Sequence, residues 1–310
     1  CPDTAAKDVA LKYQFGGYIL FARDFKEHDK QQMAAAIQEY QDVSKVPMFI
    51  GVDEEGGTVN RISLYKQYRE VPFWSPRDLF DEGGMELIKS DTKEKCRLLS
   101  SLGINLNFAP VADISSDPAD YMYPRTFGIS AEETCKYVEN VVSVMKENGI
   151  GSVLKHFPGY GNNSDTHTGV AVDERSLKSL RENDFLPFES GIEAGAEVVL
   201  VSHNIVRSID GEHPASLSLQ VHNILRDEIG FSGLIITDDL YMDAIREYTH
   251  GQEAAVMAVL AGNDLLCCSD YQTQYPAVVQ ALKDGKISEN RVDESVMRIL
   301  QYKISMGLMN

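Results

Sequence analysis

Seven short runs of almost uninterrupted apolar residues recur along this chain, and each is followed by sequence of helical character. The runs are 16–22, 46–53, 106–111, 151–154, 198–203, 234–239 and 264–268. A strand with one wet face alternates apolar and polar residues. A continuous apolar run belongs to a strand buried on both faces, as in a parallel sheet covered by helices. Helical patterns over 3–14, 28–40, 86–102, 131–148, 176–194, 222–229, 251–261, 274–283 and 289–305 supply that cover. No linker, repeat or low-complexity segment breaks the alternation, so a single domain over 1–310 is predicted. Its size and βα spacing suit a (β/α)8 TIM-like barrel. A doubly wound open sheet is the rival. Against it, no Gly-x-Gly-x-x-Gly turn follows any run and no Walker sequence occurs. A closed barrel needs eight strands and seven are visible, so the first strand is expected upstream of Cys1, leaving an opening beside 18–22.

The net charge of −18 over 310 residues argues against nucleic acid and anionic membrane surfaces as partners. Apolar and charged contents of 43% and 25% are those of a globular protein with a sizeable core. No run reaches membrane-spanning length and no signal peptide is visible. Five cysteines without CxxC or Cys/His ligand spacing predict no zinc site and fit a reducing, cytoplasmic compartment. The chain begins at Cys1 rather than Met, so upstream residues that carry an address could be absent. Cys267 and Cys268 are expected to pack as small apolar side chains.

Polar residues crowd the C-terminal ends of the runs, where a barrel places its active site. Asp53 ends one, with Arg61 eight residues on, and Arg125 lies in the loop after another. Lys155 and His156 end the next. A rigid Pro158-Gly159 turn follows, and then a loop with Asp165 and His167 but no apolar residue over 162–168. Ser202, His203 and Asn204 end a further run, and Asp238 and Asp239 another. Each has a plainer reading. Asp53 and Arg61 could form a structural ion pair, His203 could be a satisfied core residue, and Asp239 could cap a helix. Glu54 and Glu55 are expected to be solvated, and His28, His213, His222 and His250 to lie on the surface.

A carboxylate opposite an acid/base group suits glycosyl transfer, because one attacks or stabilises an oxocarbenium-like centre while the other protonates the leaving oxygen. A histidine serves as that acid when a neighbouring carboxylate holds it, and Asp165 with His167 has the spacing for such a pair. Two rivals stay open at this stage. Lys155 at a strand end could be a Schiff-base lysine of an aldolase. The chain could also bind sugars without turning them over.

The segments Lys155-His156-Phe157-Pro158-Gly159 and Asp165-Thr166-His167 resemble the signature of family 3 glycoside hydrolases, in the β-N-acetylglucosaminidase branch. So do Asp53-Glu54-Glu55-Gly56-Gly57 with Arg61, Phe108-Ala109-Pro110-Val111-Ala112-Asp113, and Thr237-Asp238-Asp239-Leu240-Tyr241-Met242. The resemblance spans about 16–306. It implies a retaining exo-β-N-acetylglucosaminidase acting on small carbohydrates such as muropeptide fragments from peptidoglycan, with no cofactor. It implies Asp238 as nucleophile, His167 as acid/base with Asp165 as its partner, and Asp53, Arg61, Arg125, Lys155 and His156 as sugar binders. His203, which ends another run, is a further candidate substrate-binding residue, and the next candidate for the proton donor should His167 not serve. Phosphorolysis on the same site is an alternative, since a neutral histidine does not repel an incoming phosphate. Tyr160 stands where the family usually has His, which predicts altered loop packing rather than lost chemistry.

Overall fold

The computed structural model describes residues 4–249 and 253–310. Six strands form one parallel sheet: β1 (Gly17–Leu20), β2 (Phe49–Val52), β3 (Leu106–Asn107), β4 (Gly151–Phe157), β6 (Val198–Val201) and β8 (Leu234–Thr237), in that spatial order. Two further short strands, β5 (Val172–Asp173) and β7 (Ile205–Val206), pair with each other above it. Their sequences gave no signal, since two residues carry no periodicity. α1 (Thr4–Tyr13), α2 (Ala22–Phe25) and α3 (Lys30–Val43) flank the first strands, and α4 (Pro76–Ser101) and α5 (Ala131–Glu147) flank the next. α6 (Leu177–Ser179) runs through a wide π-helical turn into α7 (Phe185–Glu193), and α8 (Leu219–Asn223) ends in a similar turn. α9 (Asp243–Thr249), α10 (Ala254–Ala261), α11 (Tyr271–Lys283) and α12 (Glu289–Ser305) complete the chain.

Both faces of the sheet are buried, which explains the continuous apolar runs. Along β6, Val198 and Leu200 join an apolar cluster with Phe49, Leu106 and Tyr302, while Val199 and Val201 face the larger cluster under the helices. β8 divides likewise, with Leu234 and Ile236 on one side and Ile235 on the other. α5 shows how a helix covers that surface. Ser130 caps it by accepting the Glu133 amide, Glu132 and Glu133 sit in its first turn, and Tyr137, Val138, Val141, Val142 and Met145 form its buried stripe. Each such side chain contributes about 1.5–3 kcal/mol on burial.

Two runs are less regular than expected. β3 covers two residues of 106–111 because asparagines replace backbone partners: Asn105 bridges Ile50 N–H and the Met48 carbonyl, and Asn107 bridges both backbone groups of Glu54. Pro110 then offers no donor. The seventh run joins β8 by one parallel bridge, Ile236 to Leu265. There the Asp264 carboxylate accepts the Ile235 amide and Thr237 Oγ1 accepts the Cys267 amide, so side chains supplement the backbone bonds between Ile235 and Asp264 and between Thr237 and Leu265. The fold is therefore α/β with a six-stranded parallel sheet. α1 is helical as predicted, and the strand expected before Cys1 would lie outside this chain. α4 begins ten residues before the predicted helix, at the cap Ser75 followed by Pro76, and is broken at Gly83–Gly84. α9 was not read from the sequence. The helix predicted over 251–261 is seen from Ala254, its first two residues and His250 lying outside the described residues. His222 is buried, its Nδ1 bonded to the Ser218 carbonyl, rather than on the surface. Its helix packs that face inward, where the ring needs a backbone acceptor. Among the described residues no helix is long and apolar enough to cross a membrane.

Candidate active site

The ends of β2 and β4 meet in a buried ion network. Lys155 Nζ lies 2.7 Å from Asp53 Oδ1 and 2.5 Å from Glu55 Oε1. Arg125 grips Glu55 from the other side, with Nη2 2.7 Å from Oε1 and Nε 3.1 Å from Oε2. Burial acts to raise the Glu55 carboxyl, but Lys155 and Arg125 outweigh it and hold the group well below the usual carboxylate range. Glu54 and Glu55 are thus both buried, not solvated as expected. Glu54 accepts the amides of Arg61, Ile62 and Ser63 and the Ser63 hydroxyl, so it shapes the loop after β2. The glycines that follow are needed: Gly56 has φ +104°, and a Cβ there would run into the Trp74 carbonyl.

Asp53 pairs with Lys155 rather than with Arg61, so among the described residues the Asp53–Arg61 ion pair is not formed. Arg61 Nε is buried without a partner. The Lys155 contacts also weaken the aldolase reading. An ammonium that donates to two carboxylates has no lone pair to offer a carbonyl carbon.

His156 is held by a residue missed as a site member. A carboxylate only accepts, so His156 Nδ1 donates to Asp113 Oδ2, at 2.6 Å. The same carboxylate accepts the amides of His156 and Tyr160. The opposite nitrogen, Nε2, then faces Arg125 Nη2 at 3.4 Å. Asp113 stood within a sequence segment that resembled the family. Nothing in the chain pairs Asp113 with His156, 43 residues on, and its burial shows only in the structure.

Beyond Pro158 the chain turns at Gly159 and Gly161, with φ of +115° and +56°. The loop then brings His167 Nδ1 to 2.7 Å from Asp165 Oδ1, and that oxygen also accepts the His167 amide. The Asp165 carboxyl is lowered: burial acts to raise it, and the His167 amide and ring with the Tyr121 hydroxyl outweigh that. Asp238 ends β8, and its Oδ1 accepts the Asp239 amide at 2.8 Å. Burial pushes its carboxyl up, but His203, His156, the Asp239 amide and His167 prevail and hold it below the ordinary range. An ionised carboxylate in a field of three histidines can attack an electrophilic carbon.

His203 is buried, with Nε2 donating to the Asp239 carbonyl at 3.0 Å and Nδ1 2.8 Å from Ser216 Oγ. Burial lowers its pKa, against the pull of Asp238, the Asp239 carbonyl and the Asp239 carboxylate. Asp239 does not cap α9. It accepts the amides of Tyr241 and Ser269 and the Ser269 hydroxyl, tying β8 to the segment after Leu265. Cys267 sits in the same field, its thiol pushed up by burial first and by Asp239, Asp238 and Asp53 next. Cys268 packs against an apolar cluster as expected.

The family model described as glycosyl hydrolase family 3 N terminal domain matches residues 2–302. The chain belongs to glycosyl hydrolase family 3. As a member of it, the protein is a glycoside hydrolase. It is 30% identical over 282 residues to a beta-hexosaminidase of Psychromonas ingrahamii, covering 86% of this chain and 80% of that one. It is 32% identical over 271 residues to beta-hexosaminidase LpqI of Mycobacterium tuberculosis, covering 83% and 68%. Among solved structures, a family 3 beta-N-acetylglucosaminidase from Paenibacillus superposes with a TM-score of 0.91 at 30% identity over 99% of this chain. The chain spans 60% of that protein's length. M. tuberculosis LpqI superposes at 0.84 and 30% identity, with 95% and 87% covered.

Proposed function

We propose that this family 3 chain is a retaining exo-β-N-acetylglucosaminidase that cleaves terminal β-linked N-acetylglucosamine through a glycosyl-enzyme on Asp238. The observation that carries the reading is Asp238 closing β8, its Oδ1 held by the Asp239 amide, together with the His167–Asp165 pair at 2.7 Å, whose ring helps to hold the Asp238 carboxyl below the ordinary range. In the first step Asp238 attacks the anomeric carbon while the C–O bond to the aglycone breaks, and His167 gives its proton to the departing oxygen. In the second, water gives a proton to His167 and its oxygen displaces Asp238. Asp165 aligns the ring and favours the charged form that it has before the first step and regains in the second. Asp53, Arg61, Arg125, Lys155 and His156 are the proposed hydrogen-bonding partners of the sugar, with Glu55 and Asp113 fixing the cations and the ring among them; His203, its nitrogens held by Ser216 and the Asp239 carbonyl, stands behind Asp238. Relatives named beta-hexosaminidases support the N-acetylhexosamine, and peptidoglycan-derived fragments are the proposed source.

The sheet is read as most of a TIM-like barrel. The run 264–268 beside β8 comes close to the start of β1, since a Cβ at Gly16 would lie 3.6 Å from Leu265 Cδ2. The test of function is turnover of a nitrophenyl N-acetyl-β-glucosaminide beside the matching β-glucoside, with the anomer of the first product followed by NMR. Turnover of the first alone, with β product formed first, is expected. Equal turnover of both, or α product, would sink the reading, and no turnover would favour a sugar-binding protein.

A further inference from the structure

Residues 162–170 carry Asp165 and His167, and Thr166 between them is the one buried residue of that stretch. The His167 side chain is 59% exposed and that of Asp165 25%. A loop that buries so little apolar surface has no core of its own to fix its position. Thr166 is fixed by polar contacts instead. Its N–H donates to Tyr160 Oη at 2.8 Å, its Oγ1 lies 3.0 Å from the same oxygen, and its carbonyl accepts the Ala244 amide at 3.4 Å. The Tyr160 carbonyl also accepts from both the backbone N–H and the Nδ2 of Asn163.

Tyr160 is itself buried, with its ring 5.6 Å edge-on from His156. Its amide donates at 2.7 Å to Asp113 Oδ1, the carboxylate whose other oxygen holds His156. One aromatic side chain therefore joins the buried floor of the site to the residue lying between Asp165 and His167. Burial pushes the phenol up to about 12, so it stays protonated at working pH. Its oxygen accepts from the Thr166 amide and shares a hydrogen bond with Thr166 Oγ1.

We infer that Tyr160 is a positioning residue whose hydroxyl sets where the His167 ring stands over the glycosidic oxygen. This rests on the acid/base reading of His167 given above. Displacing a proton donor by about an ångström costs on the order of 100-fold, and the cost falls on leaving groups that need the proton.

The test compares Tyr160→Phe, which keeps the ring and removes Oη, with wild type and His167→Ala. kcat/KM is measured on a nitrophenyl and on an alkyl N-acetyl-β-glucosaminide, and Ki for N-acetylglucosamine reports sugar binding. Tyr160→Phe should lose about 10- to 100-fold on the alkyl substrate and less than about 3-fold on the nitrophenyl one, with Ki unchanged. His167→Ala should show the same split, enlarged. Equal loss on both substrates, no loss on either, or a weakened Ki with no split would overturn the role of Tyr160. If His167→Ala shows no split, the acid/base reading fails first, and the inference falls with it. If His167→Ala splits and Tyr160→Phe does not, the inference alone fails. Thr166→Val removes the other end of the contact and carries the same comparison if Tyr160→Phe does not fold.

Discussion

Glu55 and Lys155 meet at 2.5 Å in the floor of the site, both nearly without solvent contact. Glu55 also holds Arg125, so one carboxylate orders two cations drawn from separate loops. Removing it leaves both buried and underpaired, which typically costs about 3–5 kcal/mol. Glu55→Gln should therefore lower thermal stability at neutral pH by several degrees or more. The folded-state pKa is depressed below the ordinary 4.5, so the stabilisation is present above about that pH and is lost as pH falls below it. The gap in melting temperature between wild type and Glu55→Gln should narrow from pH 7 to pH 3. A gap independent of pH would contradict this.

Asp113 orients His156 by accepting from Nδ1, which leaves Nε2 to accept from Arg125. Asp113→Asn cannot accept from both His156 and the Tyr160 amide with the same strength. It also favours the tautomer that sets Nε2–H against the Arg125 donors. Hydrogen bonds to charged groups contribute about 1.5–3 kcal/mol, so binding of N-acetylglucosamine should weaken by roughly 10- to 100-fold. Calorimetric titration with the free sugar measures it, and unchanged affinity would remove His156 from the binding set.

Among the groups around Asp238, His203 does most to oppose the effect of burial on its carboxyl. Without it the balance moves towards burial, and the Asp238 carboxyl should rise. The acidic limb of kcat/KM against pH, where Asp238 takes up its proton, should move to higher pH in His203→Gln. A limb that stays in place would mean that Asp238 does not set it.

Much of this site was legible in the chain because strand ends mark it. Asp53, Lys155, His156, His203 and Asp238 all close apolar runs, and their convergence follows from parallel strands. What could not be read depends on distant partners. Glu54 and Glu55 look solvated in a polar, glycine-rich loop, yet Lys155, a hundred residues later, and Arg125 bury Glu55. Asp113 and Tyr160 act through contacts with each other across 47 residues. The regularity of β3 was overestimated because asparagine side chains can replace strand bonds without altering the apolar pattern. The start of α4, by contrast, was marked by Ser75-Pro76 and could have been read.

The central claim is that Asp238 forms a bond to the sugar and His167 moves the proton. The most direct measurement is the intact mass of His167→Ala during turnover of a nitrophenyl N-acetyl-β-glucosaminide, followed by proteolysis to locate any adduct. An activated leaving group departs without the acid, whereas the second step lacks its base, so the glycosyl-enzyme should accumulate. The account predicts a mass gain of one N-acetylglucosaminyl group on the peptide that contains Asp238, absent in Asp238→Ala. Steady turnover by Asp238→Ala, or an adduct on another residue, would contradict it.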